Sequence, residues 1–133
     1  MAEQHQTIRI GVISDTHGLL REEALEALQG SDFIIHAGDI DTPEIVEALA
    51  KIAPVTAVRG NVDRGAWAKR LPQADVLEAG DLSIYVLHNL QELDLNPKAA
   101  GFAVLLRVFL TAFPGIQDRW LSIIWMVAAL TMK

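Results

Sequence analysis

At 133 residues the chain has the length of one domain and is long enough to bury a core. It contains no cysteine, which excludes a disulfide framework and a thiolate metal site, and its net charge of −6 argues against a broad face for duplex nucleic acid. The N-terminal MAEQHQTIRI has no basic or apolar leader region, so no signal peptide is expected, and the expected compartment is the cytoplasm.

The first sixty residues alternate between two periodicities. IRIGVIS (8–14) is a short Ile/Val run that reads as a buried strand. A helix follows over 20–29, with Leu20, Ala24, Leu25 and Leu28 on one face and Arg21, Glu22, Glu23 and Glu26 outside. A second strand covers 32–37. Thr42-Pro43-Glu44 reads as an N-cap with Pro at the first helical position, opening a helix over 43–53 that buries Ile45, Val46, Leu49 and Ile52. Strand 55–59 completes a βαβαβ unit. Residues 64–74 are polar and irregular and read as a loop over the site. VLEAGDLSIYVLH is two strands joined at the turn dipeptide Gly80-Asp81, and GFAVLL (101–106) is a further strand. There is no internal repeat and no interdomain linker.

Metal-liking side chains sit just past four of these runs. They are Asp15 and His17, then Asp39, then Asn61, then His88. Ligands of open α/β sheets bind just outside the carboxyl ends of the strands, so these five residues are expected to converge. Carboxylate, imidazole and amide oxygen form a donor set for manganese, iron, zinc or magnesium. Each residue taken singly has a plainer reading: Asp15 as a helix N-cap, Asp39 and Asn61 as turn formers. His36 lies inside the apolar run DFIIHAG, as a core histidine or one that orients Asp39. A receiver-like or mononucleotide-binding domain would share the βαβαβ pattern. It gives no reason for Asn61 and His88, and no G-x-x-x-x-G-K loop is present.

The motifs Asp15-Thr16-His17-Gly18, Gly38-Asp39, Gly60-Asn61-Val62-Asp63 and the lone His88 occur in the order seen in calcineurin-like metallophosphoesterases. The chain resembles the small bacterial and archaeal phosphodiesterase branch over residues 7–105, including HNLQELDLNPKAAGF (88–102), which looks like the segment joining the fourth and fifth motifs. The resemblance implies an α/β fold, a β-sandwich flanked by helices, with a two-metal centre that hydrolyses small phosphodiesters. It implies Asp15, His17, Asp39, Asn61 and His88 as metal ligands, with Asp39 bridging the two ions and Asp39, Asn61 and His88 serving catalysis. The implied cofactor is a divalent metal, manganese first, with nickel, zinc, iron or magnesium as alternatives. Many relatives have a proton-donating His where this chain has Val62, and the phosphodiesterase branch commonly lacks it. Asp63 is expected to support its loop by hydrogen bonds. Arg59 and Arg64 flank the site, either meeting a phosphate oxygen or standing as solvated loop charges.

The fifth motif, G-H-x-H, is missing: the four histidines lie at 5, 17, 36 and 88. The chain therefore reads as one domain over 1–133, family-like to 106, with a truncated or replaced tail over 107–133. Leu121 to Leu130 is nearly all apolar but shorter than the ~20 residues a membrane span needs, so no span is expected. A strand followed by a C-terminal helix on the sheet is the expected tail, ahead of a membrane-surface or partner helix. The leading reading is an impaired phosphodiesterase. The alternative is a catalytically inactive metal-binding or scaffold module with an apolar partner-binding tail.

Overall fold

The computed structural model describes residues 6–80, 82–89, 104–107 and 126–132. The element order is β1 (Gln6–Ile13), α1 (Glu22–Leu28), β2 (Phe33–His36), α2 (Pro43–Ala50), β3 (Val55–Ala57), a short 3-10 helix (Ala68–Arg70), β4 (Ala74–Ala79), β5 (Leu82–Leu87), β6 (Val104–Arg107) and β7 (Met126–Met132). The α/β class and the alternating first half are as expected from the sequence. The 64–74 loop carries the 3-10 turn. Thr42 stands at the N-cap of α2 with extended backbone, but its side chain makes no capping bond, and Pro43 opens the helix.

Two sheets form. One has the order β3-β2-β1-β7, the other β4-β5-β6. β1, β2 and β3 run parallel, because each return passes through a helix or its equivalent. β4 and β5 form an antiparallel hairpin in which Ala79 faces Leu82, with Gly80 at φ 60° just past β4.

The pleat decides what each strand faces. Ile8 and Ile10 of β1, Ile35 of β2, and Ala37 and Val58 just beyond β2 and β3 meet Leu77 and Ala79 of β4 and Ile84 and Val86 of β5. That layer is the core between the sheets. On the other face Ile13 and Ile34 pack with Ala24 and Leu28 of α1 and with Ile45 and Leu49 of α2. The result is a β-sandwich with helices on one outer face. Gly11 lies under α1, where a Cβ would press on the Leu28 and Ser31 side chains, so a larger residue there requires them to shift.

The tail differs from the expectation. Residues 126–132 form a strand, antiparallel to β1 with Ile10 facing Ala128, where a C-terminal helix on the sheet was expected. β1 would otherwise leave a row of unpaired N–H and C=O groups along one side, and an apolar segment laid beside it satisfies them. Hydrogen-bonding demand from a distant strand overrides the local preference of Ala and Leu for helix. The strand expected over 101–106 appears as β6, parallel to β5. Residues 101–103, most of the 88–102 joining segment, and Leu121–Trp125 lie outside the described residues.

Candidate metal centre

Three loops at the carboxyl ends of β1, β2 and β3 and His88, the residue just past β5, form one surface. The first two loops are zipped together: Asp15 N–H donates to Gly38 C=O (3.0 Å), His17 N–H to Asp39 C=O (3.1 Å) and Gly18 N–H to Ile40 C=O (2.9 Å). This path forces Asp15, His17, Asp39 and Asp41 to φ between 47° and 80°, the only described non-glycine residues with positive φ. Such strain persists only where surrounding bonds over-determine it, and it clusters at functional sites.

Asp63 does much of that determining. Its carboxylate accepts four backbone N–H groups: Asp39 (3.1 Å), Ile40 (2.9 Å), Asp41 (2.8 Å) and Gly60 (2.8 Å). One buried anion thus ties the β2 loop to the β3 loop, in the supporting role expected of it. Glycines permit the close approach. A Cβ on Gly60 would collide with the Asp39 backbone and carboxylate, and a Cβ on Gly38 would come within 2.7 Å of the His88 ring and 3.0 Å of Gly60 N.

Within this frame Asp15, Asp39 and His88, all buried, offer ligand atoms that lie within 4.8 Å of one another. His88 Nε2 is 3.4 Å from Asp39 Oδ2. The His88 Nδ1–H donates to Ala37 C=O (2.8 Å), since a carbonyl can only accept, which leaves the Nε2 lone pair aimed at the carboxylates. Asp39 Oδ1 accepts from Val62 N–H at 3.1 Å, and Ser14 Oγ donates to Asp15. His17 Nε2 stands 3.6 Å from Asp15 Oδ1 and is half exposed. Asn61 is exposed and lines a cavity of about 240 Å³ together with His88, Arg59, Gln73 and Asn89. So three of the five expected ligands converge as a buried triad, His17 adjoins it at Asp15, and Asn61 adjoins it at His88.

Burial raises the Asp15 carboxyl above its usual range; the Ser14 bond opposes this and the Asp39 charge adds to it. No Lys or Arg among the described residues pairs with either carboxylate. Two buried carboxylates and an imidazole lone pair without a cation among them form an unbalanced negative site. A divalent ion fits such a donor set and relieves the repulsion.

His36 is fully buried. Gly38 N–H donates to its Nδ1 (3.2 Å), so Nε2 carries the proton and donates to Thr16 Oγ1 (3.0 Å), which donates to Ile40 C=O (3.1 Å). Burial pushes the pKa of His36 down to about 3, so it is a neutral fastener between the first two loops. Thr16 and Ser14 were not singled out in the sequence. Only their place on either side of Asp15 marks them, and a Ser or Thr there is common in any turn.

The sandwich and the converging Asp, Asp and His define a metallophosphoesterase-type scaffold. The sequence matches the calcineurin-like phosphoesterase superfamily domain over residues 8–106, and the chain belongs to that superfamily. It is 39% identical over 87 residues to a probable metallophosphoesterase of Methanocaldococcus jannaschii, covering 62% of this chain and 43% of that protein. The fold is similar to that of a predicted phosphoesterase from Streptococcus pneumoniae, with a TM-score of 0.60 and 26% identity, covering 79% of this chain and 63% of the other. The chain spans less than half the length of the curated metallophosphoesterases it matches, 43% and 48% of two archaeal ones. A second kind of likeness is present. A stretch of 40 residues, 30% of the chain, is 48% identical to NADH-quinone oxidoreductase subunit N 1 of Solibacter usitatus, of which it covers 8%.

Proposed function

We propose that the chain is a metal-dependent phosphodiesterase scaffold whose activity is lowered by loss of the fifth motif. The observation that carries this reading is the buried Asp15–Asp39–His88 triad with no cation among its described neighbours. Asp15, His17 and Asp39 would hold one divalent ion, and Asp39, Asn61 and His88 the second, with manganese the first candidate. Such ions, when bound, polarise phosphoryl oxygens and lower the pKa of water.

The chain's own residues orient and exclude. Ala37 C=O holds the His88 ring with Nε2 toward the site. Asp63 fixes the backbone turn that presents Asp39. Asn61 supplies a neutral amide oxygen that binds without adding charge. Val62, beside Asn61, has no proton to give a departing alkoxide. Substrates whose alcohol leaves readily without protonation are therefore the ones this site suits, which favours activated diesters over alkyl monoesters.

The absence of any histidine after His88 favours a second reading, a module that binds metal without turnover. Metal stoichiometry measured alongside hydrolysis of bis(4-nitrophenyl) phosphate separates the two. Turnover that depends on added manganese and is abolished by Asp39→Ala supports the enzyme; stoichiometric metal without turnover supports the module.

On this reading the apolar C-terminal part is a replacement, and the likeness to an oxidoreductase subunit, which at 40 residues exceeds the 27 of positions 107–133, would take in the tail together with residues before it. Three such subunits match stretches of 37 to 40 residues. The phosphoesterase family match ends at residue 106, which leaves residues 107–133 outside it. Sequencing the gene with its downstream bases tests this. A different frame encoding Gly-His-x-His would mean frame-shifting rather than replacement.

A further inference from the structure

His88 belongs both to the buried triad and to the cavity of about 240 Å³ beside it, and Asn61 lines that cavity too. Nearly all of the cavity wall is polar. Two features bring Gln73 into it. In the β4–β5 hairpin Ala74 faces Leu87, so one step further along the antiparallel pair Gln73 stands opposite His88. Just before Gln73 the chain is fastened to the β3 loop, where Arg59 N–H donates to Pro72 C=O at 2.8 Å. Arg59 and Gln73 both line the cavity. Among the described residues neither the Gln73 amide nor the Arg59 guanidinium has a hydrogen-bond or ion-pair partner. The Asp63 carboxylate in the same wall is engaged by four backbone N–H groups. Arg59 and Asp63 bring opposite charges to the wall, so beyond the triad it gives a charged group no net advantage. Its volume, about 240 Å³, is below the roughly 300–1,000 Å³ of pockets for drug-sized ligands, which suits a small group.

We propose that this cavity seats the retained arm of the diester, that the arm is small, uncharged and hydroxylated, and that Gln73 with Arg59 selects it. The inference rests on the phosphoesterase reading, which puts the phosphate at the triad. A guanidinium only donates, whereas the Gln73 amide donates through its nitrogen and accepts through its oxygen. A hydroxyl also does both, so it can pair with either side chain. An alkyl arm pairs with neither and covers their polar atoms, which costs affinity.

The test uses the full chain supplied with manganese and the variant Gln73→Leu, which replaces an exposed amide by an apolar group of similar size. Two 4-nitrophenyl phosphodiesters are compared, one with a propyl second arm and one with a 2,3-dihydroxypropyl arm, so the leaving group is the same. The wild type is expected to show about tenfold higher kcat/KM for the hydroxylated arm, the factor that one or two net hydrogen bonds supply, mostly through KM. Gln73→Leu should lose most of that preference and keep its rate on the propyl diester. Equal loss on both diesters, or an unchanged preference, overturns the proposal. Binding of glycerol 3-phosphate against propyl phosphate to the manganese-supplied chain, read by calorimetry, is independent of turnover. A preference for glycerol 3-phosphate that disappears in Gln73→Leu supports the subsite even if neither diester is hydrolysed, in which case the hydrolytic reading fails alone. Turnover or binding without any preference sinks the subsite alone, and neither turnover nor binding of any of the four compounds sinks both.

Discussion

The Nε2 atom of His88 stands 3.4 Å from Oδ2 of Asp39, two residues that are 49 positions apart and meet only because β5 ends opposite the β2 loop. Asp39 also neighbours Asp15, and under the proposed function it would be the carboxylate shared by two ions. Asp39→Ala should therefore weaken manganese binding more than His17→Ala or His88→Ala. Loss of a direct ligand should exceed the 10- to 100-fold typical of outer partners, that is, more than about a hundredfold for Asp39. Calorimetric titration checks this; equal losses in all three variants would remove the bridging role.

Asp63→Ala removes the acceptor of four N–H groups at once. Stranded donors in a buried loop pair cost free energy, and charged acceptors are the stronger ones, so the metal-free chain should lose about 3 kcal/mol or more. Urea unfolding gives the value. A loss below about 1 kcal/mol would mean that water replaces the carboxylate and that the frame is held elsewhere.

Burial pushes the pKa of His36 down to about 3 in the folded chain, against 6.5 for an exposed imidazole. The unfolded chain then binds the extra proton between these values. Its contribution to stability is present above pH 6.5 and is lost as pH falls toward 3. Asp15 has the opposite sign, because its raised pKa makes the folded chain the better proton binder above 3.8. Thermal melts of metal-free protein should show Tm falling with pH below 6.5, with a shallower slope in His36→Gln. An unchanged slope in that variant would count against the buried neutral histidine.

Metal affinity has its own pH dependence. Asp15 must be ionised to bind, and its pKa lies above 3.8 through burial. Manganese binding should weaken on acidification while exposed carboxylates are still charged. Ser14→Ala removes the bond that favours the charged form, so it should move this loss to higher pH. A shift to lower pH, read from titrations at stepped pH, would reverse the assignment.

Placing Gly-His-x-His directly after Leu106, with a family-like end behind it, should raise metal stoichiometry and diester turnover together. Under the proposed function, two added imidazoles would complete ligand sets that otherwise would have three protein ligands each. If the chain as it stands already binds two ions tightly and turns over diesters at the same rate, other residues replace the lost histidines.

Much of this was legible in the residues themselves. Ile/Val runs of four to eight with polar ends specify strands locally. Thr42-Pro43 and Gly80-Asp81 mark their helix start and turn because the backbone rules act within a few positions. Asp15, His17, Asp39, Asn61 and His88 stood out because each follows such a run. What the chain alone did not specify are contacts between residues far apart. Thr16 reaches His36 across 20 positions, Asp63 reaches Ile40 across 23 and His88 reaches Ala37 across 51. A hydroxyl, a carboxylate and an imidazole have many possible partners in sequence, and only the packed loops leave one. The same holds for Met126–Met132, whose apolar residues suit a helix as well as a strand. The open side of β1 decided between them, because a row of unpaired backbone groups is a property of the assembled sheet and not of any segment.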